Sequence, residues 1–153
     1  MMTDGREAAA LRAAVAGALA ASRSRDAGPW RLIQLNTGVE LFAEVAIAAT
    51  FWPRFRGWMW RRPAGPSEAL LLAPCRGIHT HGMRFAIDAA FVDEHGYVLT
   101  VVHGLAPWRF HRGVASAYAV IEAAAGGPLS RVTPGTQLGL ASEKPASTTW
   151  MSG

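Results

Sequence analysis

The chain has 153 residues, 50% of them hydrophobic and 17% charged, which excludes a disordered protein and predicts one domain with a buried core. The net charge of +4 comes from 15 basic and 11 acidic residues, and it permits an anionic partner without requiring one. A single cysteine excludes an intramolecular disulfide and a cysteine-rich zinc site. Because no run of about 18 apolar residues occurs, the sequence predicts no membrane span.

Residues 1–28 are predicted to form an alanine-rich helical appendage that ends in a polar joint. Leu11, Val15 and Leu19 recur at the spacing of one helical face, which is typical of a short amphipathic helix. Arg12 lies inside the apolar stretch and no basic segment precedes it, which argues against a secretion signal and favours a cytoplasmic protein. We expect that deleting this segment leaves a folded domain.

Residues 29–141 are predicted to form a β-rich domain, and residues 142–153 a flexible tail. About seven or eight short strands alternate with turn residues, and hairpin turns are predicted at Asn36–Gly38 and Asp93–Gly96. Helical character is expected for Ala48–Arg62. We therefore expect a mainly β protein, either a β-sandwich or a partly open β-barrel, with one or two short helices.

The chemically richest stretch is Cys75–Asp93, which carries a thiol, two imidazoles, a guanidinium and a carboxylate within an apolar run. His79 and His81 are two residues apart, so in a strand they would point to one face. Arg84 and Asp88 would share a face if the strand continued between them. We expect this stretch to line the functional site, and no catalytic residue is identifiable in it.

The two histidines allow a metal site or a simple pocket. Imidazoles on one face suit a transition metal, but two ligands are too few, and no spacing selects a third from Cys75, Asp88, His103 or His111. Cys75 could also act as a nucleophile, although a lone cysteine among apolar residues is more often inert. We favour one buried, hydrogen-bonded histidine and one pocket histidine, and we expect no cofactor and only substoichiometric metal.

Asp88 is predicted to be a carboxylate in an apolar strand. Its neighbours on the same face are Ala86 and Ala90, so its charge must be paired, accept backbone N–H groups or be lost by protonation. Arg84 is its nearest partner in sequence. Asp88 would then either pin a neighbouring loop from inside the fold or act as a perturbed carboxyl group in a cleft. Glu122 is a second carboxylate expected to be buried in a strand.

Two segments, Phe51–Arg62 and Trp108–Arg112, interleave aromatic rings with arginine. Stacking rings beside cations are typical of single-stranded nucleic-acid sites, but tryptophan at helical spacing is more often part of a core. We interpret the first segment as a packing element and disfavour nucleic acid as the partner. Trp108 and Arg109 of the second segment are kept as candidates for a ligand site.

Four motifs occur in order along the chain: R-F-R-G-W-M-W-R at Arg54–Arg61, I-H-T-H-G-M-R-F-A-I-D-A-A-F-V-D at Ile78–Asp93, A-V-I-E-A-A-A-G at Ala119–Gly126 and P-G-T at Pro134–Thr136. Over roughly Leu32–Leu140 they resemble a widespread bacterial and archaeal family, the domain of unknown function 192. Trp58 and Thr136 replace the family's usual leucine and aspartate. The resemblance implies the position of the site, includes Glu122 in it, and implies no reaction, because the family has no agreed activity.

The leading hypothesis is a small soluble domain that binds a small polar or anionic ligand in a cleft lined by the stretch His79–Asp88. Seven residues are the candidate ligand contacts: His79, His81, Arg84, Asp88, Trp108, Arg109 and Glu122. The alternatives are a metal-dependent hydrolase that uses the two histidines, and a binder of nucleic acid or anionic surfaces that uses the arginine–tryptophan clusters. The ligand and the oligomeric state stay open.

Overall fold

The structure, a computed structural model, describes residues 10–21, 30–48 and 62–142. Within these ranges the chain forms one α-helix, one short 3-10 helix and nine strands. In chain order they are α1 (Ala10–Ala21), β1 (Trp30–Gln34), β2 (Val39–Ala48), β3 (Glu68–Leu72), β4 (Ile78–His79), β5 (Ile87–Val92), β6 (Val98–Leu105), β7 (Phe110–His111), β8 (Ala119–Ala124), the 3-10 helix (Pro128–Arg131) and β9 (Leu138–Ser142).

Seven of the strands form one sheet in the order β6-β5-β8-β3-β2-β1-β9, in which β2 and β3 are parallel and the other neighbours antiparallel. The two edge strands also approach each other, because the Val98 N–H donates to the Thr136 carbonyl at 2.8 Å and the Leu138 N–H donates to the Gly96 carbonyl at 2.8 Å. The sheet therefore curls into a half-barrel, beside which β4 and β7 form a small second sheet. This architecture confirms the predicted mainly β class.

Both predicted hairpin turns join antiparallel strands. Between β1 and β2 the chain reverses at Gly38, which has a φ of 72°. Between β5 and β6 the Asp93 Oδ1 accepts hydrogen bonds from the N–H groups of His95 and Tyr97 at 2.9 and 3.0 Å, and Gly96 has a φ of 89°. Glycine adopts this left-handed backbone at little cost, so local sequence determines where the two hairpins turn.

Two hydrophobic clusters occupy the two faces of the large sheet. The main cluster includes Leu32 and Leu71, together with residues of α1 and the 3-10 helix. The second cluster includes Met83 and Phe91 and lies between the sheet and the small β4–β7 sheet. Successive residues of a strand point to opposite faces. The strands β5 and β8 therefore contribute side chains to both clusters and are buried along nearly their whole length.

The helix α1 packs against the sheet, in place of the separate appendage expected from the sequence. Its residues Leu11 and Val15 are 0% and 2% exposed and belong to the main cluster. Arg12, on the solvent side, forms a 2.7 Å ion pair with Glu94 in the turn after β5. The apolar helical face recognised in the sequence is thus buried by the barrel, and we expect it to contribute to stability.

Some sequence predictions lie outside the described residues. These are most of the helical character expected for Ala48–Arg62, most of the first arginine-rich aromatic segment, and the tail from residue 143 onward. The last strand includes Ser142, one residue beyond the predicted end of the domain. Among the described helices, none has the length and apolar character needed to cross a membrane.

The packing of α1 leads to a first prediction. Leu11→Ala should lower the free energy of unfolding by about 2–4 kcal/mol, because it removes a fully buried side chain and leaves a cavity. Chemical denaturation of both proteins measures the change. Arg12→Ala is the matched control and should cost no more than about 1 kcal/mol, since its ion pair is exposed. An unchanged midpoint for Leu11→Ala would return the helix to the status of an appendage.

Candidate functional site

Two loop segments, residues 76–86 and 105–113, meet over the second hydrophobic cluster. We call them together the loop lobe. The strands β4 and β7 hold the segments side by side, with Ile78 opposite His111 and His79 opposite Phe110. The lobe is fixed to the large sheet by the ring of His111, which packs 5.5 Å from that of Phe91 in β5.

The buried residue Thr80 ties the two segments of the loop lobe together. Its hydroxyl donates a hydrogen bond to the Ala106 carbonyl at 2.6 Å and accepts one from the Arg109 N–H at 2.9 Å. Its backbone N–H donates to the Arg109 carbonyl at 2.8 Å, and its carbonyl accepts from the Trp108 N–H at 3.0 Å. Sequence reasoning missed this residue. The available signal was a threonine between two histidines in the family motif.

Four planar side chains lie next to one another on the loop lobe, and we call them the ring patch: His79, His81, Trp108 and Phe110. The ring centroids of His79 and His81 are 5.3 Å apart, and those of His81 and Trp108 are 5.8 Å apart in an edge-to-face arrangement. Phe110 is the cross-strand neighbour of His79. Trp108 is 58% exposed and Phe110 68% exposed, so the patch presents rings to solvent. Phe110 was not among the sequence candidates.

Trp108 combines exposure with backbone strain. Its φ is 62°, in the left-handed region, where a residue with a side chain costs about 1–2 kcal/mol. More than half of its surface remains in water, and the buried part of the indole offsets this cost at about 25 cal/mol per Å². Strained residues of this kind cluster at functional sites. The hydrogen bond from the Trp108 N–H to Thr80 holds the conformation in place.

The charge of the loop lobe is entirely positive. Its two segments contain four arginines and no Asp or Glu, and all four arginines are exposed: Arg76, Arg84, Arg109 and Arg112. The other 11 of the 15 basic residues balance the 11 acidic residues elsewhere in the chain. The whole formal excess of +4 therefore equals the charge of these four side chains.

The described residues give no support to the metal alternative. Burial lowers the pKa of His79, and the neighbouring His81 lowers it further. The Cys75 thiol donates to the Gly77 carbonyl at 3.0 Å, and His111 Nδ1 accepts from a backbone N–H at 3.0 Å. Within the described ranges, no three side chains of His, Cys, Asp or Glu come close enough together to hold a metal ion.

Asp88 lies inside the sheet and is engaged by the backbone. It is 1% exposed, and its two oxygens accept hydrogen bonds from the N–H groups of Gly104 at 2.8 Å and Gly126 at 2.9 Å. His103 Nδ1 is 4.0 Å from the same carboxylate. The expected partner Arg84 is exposed instead, because the chain leaves strand geometry after β4 and turns before β5 begins. Asp88 thus joins the end of β6 to the turn after β8.

Glu122 faces the opposite side of the sheet from Asp88. Its cross-strand neighbours are Leu70 and Ala89, both of the second cluster, and it is 3% exposed. Burial raises the pKa of Glu122 to about 8, so the carboxyl group is largely protonated at neutral pH. The structure therefore brings together His79, His81 and Trp108, with Arg84 and Arg109 on the same lobe, while Asp88 and Glu122 stay within the sheet.

A groove of about 390 Å³ lies elsewhere, between α1, the turn after β5 and the loop before β8. It contains Arg12, Arg76, Asp93 and Glu94. Arg12 and Glu94 pair with each other, and Asp93 accepts the backbone hydrogen bonds of its own turn. Three of the four charges are thus compensated within the protein, which makes the groove a weaker candidate than the ring patch.

The engagement of Asp88 by two backbone donors leads to a second prediction. Asp88→Asn should destabilise the fold by about 2–4 kcal/mol, because the amide keeps one acceptor oxygen and places an NH₂ group against a backbone N–H. Asp93→Asn is the matched control. One oxygen of Asp93 accepts both of its hydrogen bonds, so an amide can keep both and the cost should be smaller. The denaturation midpoints of the two variants measure their loss of stability. Equal losses would refute the bridging role of Asp88.

Glu122 leads to a third prediction, on pH. The folded protein keeps a proton up to about pH 8 that the unfolded chain releases near its ordinary pKa of 4.5. The free energy of unfolding should therefore fall as the pH rises between these values, by up to about 1.4 kcal/mol per pH unit. Glu122→Gln should remove this part of the slope and be the more stable protein at pH 8. Glu44→Gln, an exposed change on β2, should keep the slope. A slope that Glu122→Gln leaves intact would show that another group causes it.

Two solved structures share this fold. A Sinorhizobium meliloti 1021 protein described as a candidate transcription regulator superposes with a TM-score of 0.61 and 23% identity, covering 72% of this chain and 91% of that one. A protein of unknown function from Novosphingobium aromaticivorans DSM 12444 gives a TM-score of 0.61 and 19% identity, covering 72% and 82%. At these identities the likeness shows the fold alone.

The family comparison agrees with the motifs seen in the sequence. None of the curated proteins matches the chain significantly. The model of the family DUF192, described as "Uncharacterized ACR", matches residues 33–140. This match covers well over half of the chain and includes both the loop lobe and the strand that carries Glu122. The protein therefore belongs to the domain of unknown function 192 family, as its motifs predicted.

Proposed function

We propose that the protein is a binding domain for anionic ligands that carry a planar ring, and that the ring patch is its binding site. The observation that carries this proposal is the state of Trp108. Its indole is held in solvent, beside His81, by a strained backbone that the fold fixes through Thr80. An exposed, rigid ring is suited to stacking on a planar ligand, and that role would offset the strain.

The charge of the loop lobe supports an anionic ligand. Four exposed arginines belong to the two segments that carry the rings, and neither segment contains a carboxylate. Guanidinium groups bind phosphate and carboxylate with two parallel hydrogen bonds. The ligand proposed from the sequence, small and polar or anionic, is thereby narrowed to one that combines a negative charge with a ring.

Each candidate residue has a distinct part in this proposal. Trp108 stacks on the ring of the ligand, and Arg84 and Arg109 bind its charge. His79 and His81 extend the stacking surface and offer ring nitrogens at its edge. Asp88 and Glu122 are left out of the contact set, because they are buried in the sheet. A cytoplasmic location, expected from the sequence, is kept as part of the proposal.

Three probe molecules test the two halves of the proposal separately. Adenosine monophosphate carries a ring and a charge, adenosine only the ring, and ribose 5-phosphate only the charge. We expect adenosine monophosphate to bind with a millimolar or lower Kd. The other two should bind at least about fivefold more weakly, because ribose 5-phosphate lacks the stacking base, worth about 1–3 kcal/mol, and adenosine lacks the charge. Calorimetric titration measures all three. Equal binding of the three probes, or no binding of any of them, would refute the proposal.

Two variants assign the binding to the ring patch. Trp108→Gly should weaken adenosine monophosphate binding about tenfold and leave ribose 5-phosphate unaffected. Because glycine accepts the left-handed backbone, relief of the strain should offset most of the lost indole contact, and stability should fall by no more than about 1–2 kcal/mol. Arg109→Ala should weaken both phosphates. Arg131→Ala, an exposed arginine on the 3-10 helix, is the matched control and should change neither.

A further inference from the structure

We infer that the ligand of the ring patch is single-stranded nucleic acid. This inference rests on the proposed function and extends it from a ligand with one ring and one charge to a strand with several bases and several phosphates. The sequence alone disfavoured nucleic acid, because tryptophan beside arginine is more often part of a core. In the described segment that interpretation does not hold, since Trp108 and Phe110 are both exposed.

The number and spacing of the rings fit several bases better than one. The centroids of successive rings lie 5.3 and 5.8 Å apart, which is the ordinary contact distance of neighbouring planar side chains. His79, His81 and Trp108 therefore form one continuous surface of rings, of the kind on which a single strand stacks successive bases. A ligand with one ring would leave most of the patch unused.

The orientation of the rings argues against a duplex. The planes of His79 and His81 are inclined by 39°, and those of His81 and Trp108 by 77°. The faces of the rings therefore point in different directions. Only unpaired bases are free to turn so that each can stack on one of them. Paired bases in a duplex expose edges in the grooves and keep their faces covered by their neighbours.

The arginines supply more charge than one phosphate needs. The exposed residues Arg76, Arg84, Arg109 and Arg112 belong to the two segments that carry the rings. Several cations on the segments that carry the rings suit a strand with several phosphates and bases.

The test compares four probes at several salt concentrations, using the full chain. They are adenosine monophosphate, a fluorescent single strand of twelve thymidines, a duplex of the same length, and vesicles of anionic phospholipid. We expect the single strand to bind at least about tenfold more tightly than the mononucleotide and the duplex, because stacking adds for each base. The logarithm of its affinity should fall with the logarithm of salt with a slope of about −2 to −3, from about −0.7 for each phosphate contacted.

Variants separate stacking from charge on the single strand. Trp108→Gly should weaken binding about tenfold or more and keep the salt slope, because it removes a ring and no charge. Arg109→Ala should reduce the slope by about 0.7. Arg131→Ala should leave affinity and slope near those of the unchanged protein.

The outcomes distinguish the inference from the proposed function beneath it. A single strand that binds no more tightly than adenosine monophosphate, or no more tightly than the duplex, would overturn the inference and leave the proposed function standing. Tighter binding to the vesicles than to the strand would overturn it in favour of an anionic membrane surface. If neither the mononucleotide nor the strand binds, the proposed function fails as well.

Discussion

The hydrogen bonds of Thr80 are the constraint on which the conformation of the loop lobe depends. One buried hydroxyl both donates and accepts, so it fixes the Ala106 carbonyl and the Arg109 N–H at the same time. Without it both hydrogen bonds would be lost, at roughly 0.5–1.5 kcal/mol each. Between Ala106 and Arg109 in the chain stands Trp108, whose conformation is thus fixed from both sides. The strained backbone of Trp108 is a consequence of this cross-link, and so is the position of the ring patch.

The two faces of the large sheet serve different purposes. On one face, the Asp88 carboxylate accepts hydrogen bonds from two backbone N–H groups and joins the end of β6 to the turn after β8. On the other, Glu122 is kept uncharged by burial beneath the cover that the loop lobe helps to form. Both carboxyl groups are therefore removed from the solvent-exposed surface. The two segments of the lobe hold four arginines and no acidic residue, which favours the attraction of an external anion.

The sequence predicts local features well and pairings between distant segments poorly. Both hairpin turns follow from glycine and Asx residues whose preferences are local, and the alternation of apolar residues locates most strands. Arg84 and Asp88 were expected to share a face, but β4 ends at His79, a fact set by its partner β7 about 30 residues later. Thr80 and Phe110 were missed for the same reason. Likewise, the apolar face of α1 was recognisable, whereas the barrel that buries Leu11 was not.

The proposed site stands on a lobe outside the barrel, an arrangement that would separate binding from folding. The main cluster and the Asp88 bridge hold the half-barrel together on one face, and the rings and arginines stand on loops attached to the other. Changes on the lobe surface can therefore alter what is bound at little cost in stability, as is general for loops on a rigid scaffold. Trp108 is the residue on which the proposed site rests. Its φ is one that glycine adopts more readily, yet a tryptophan with a largely exposed ring occupies the position.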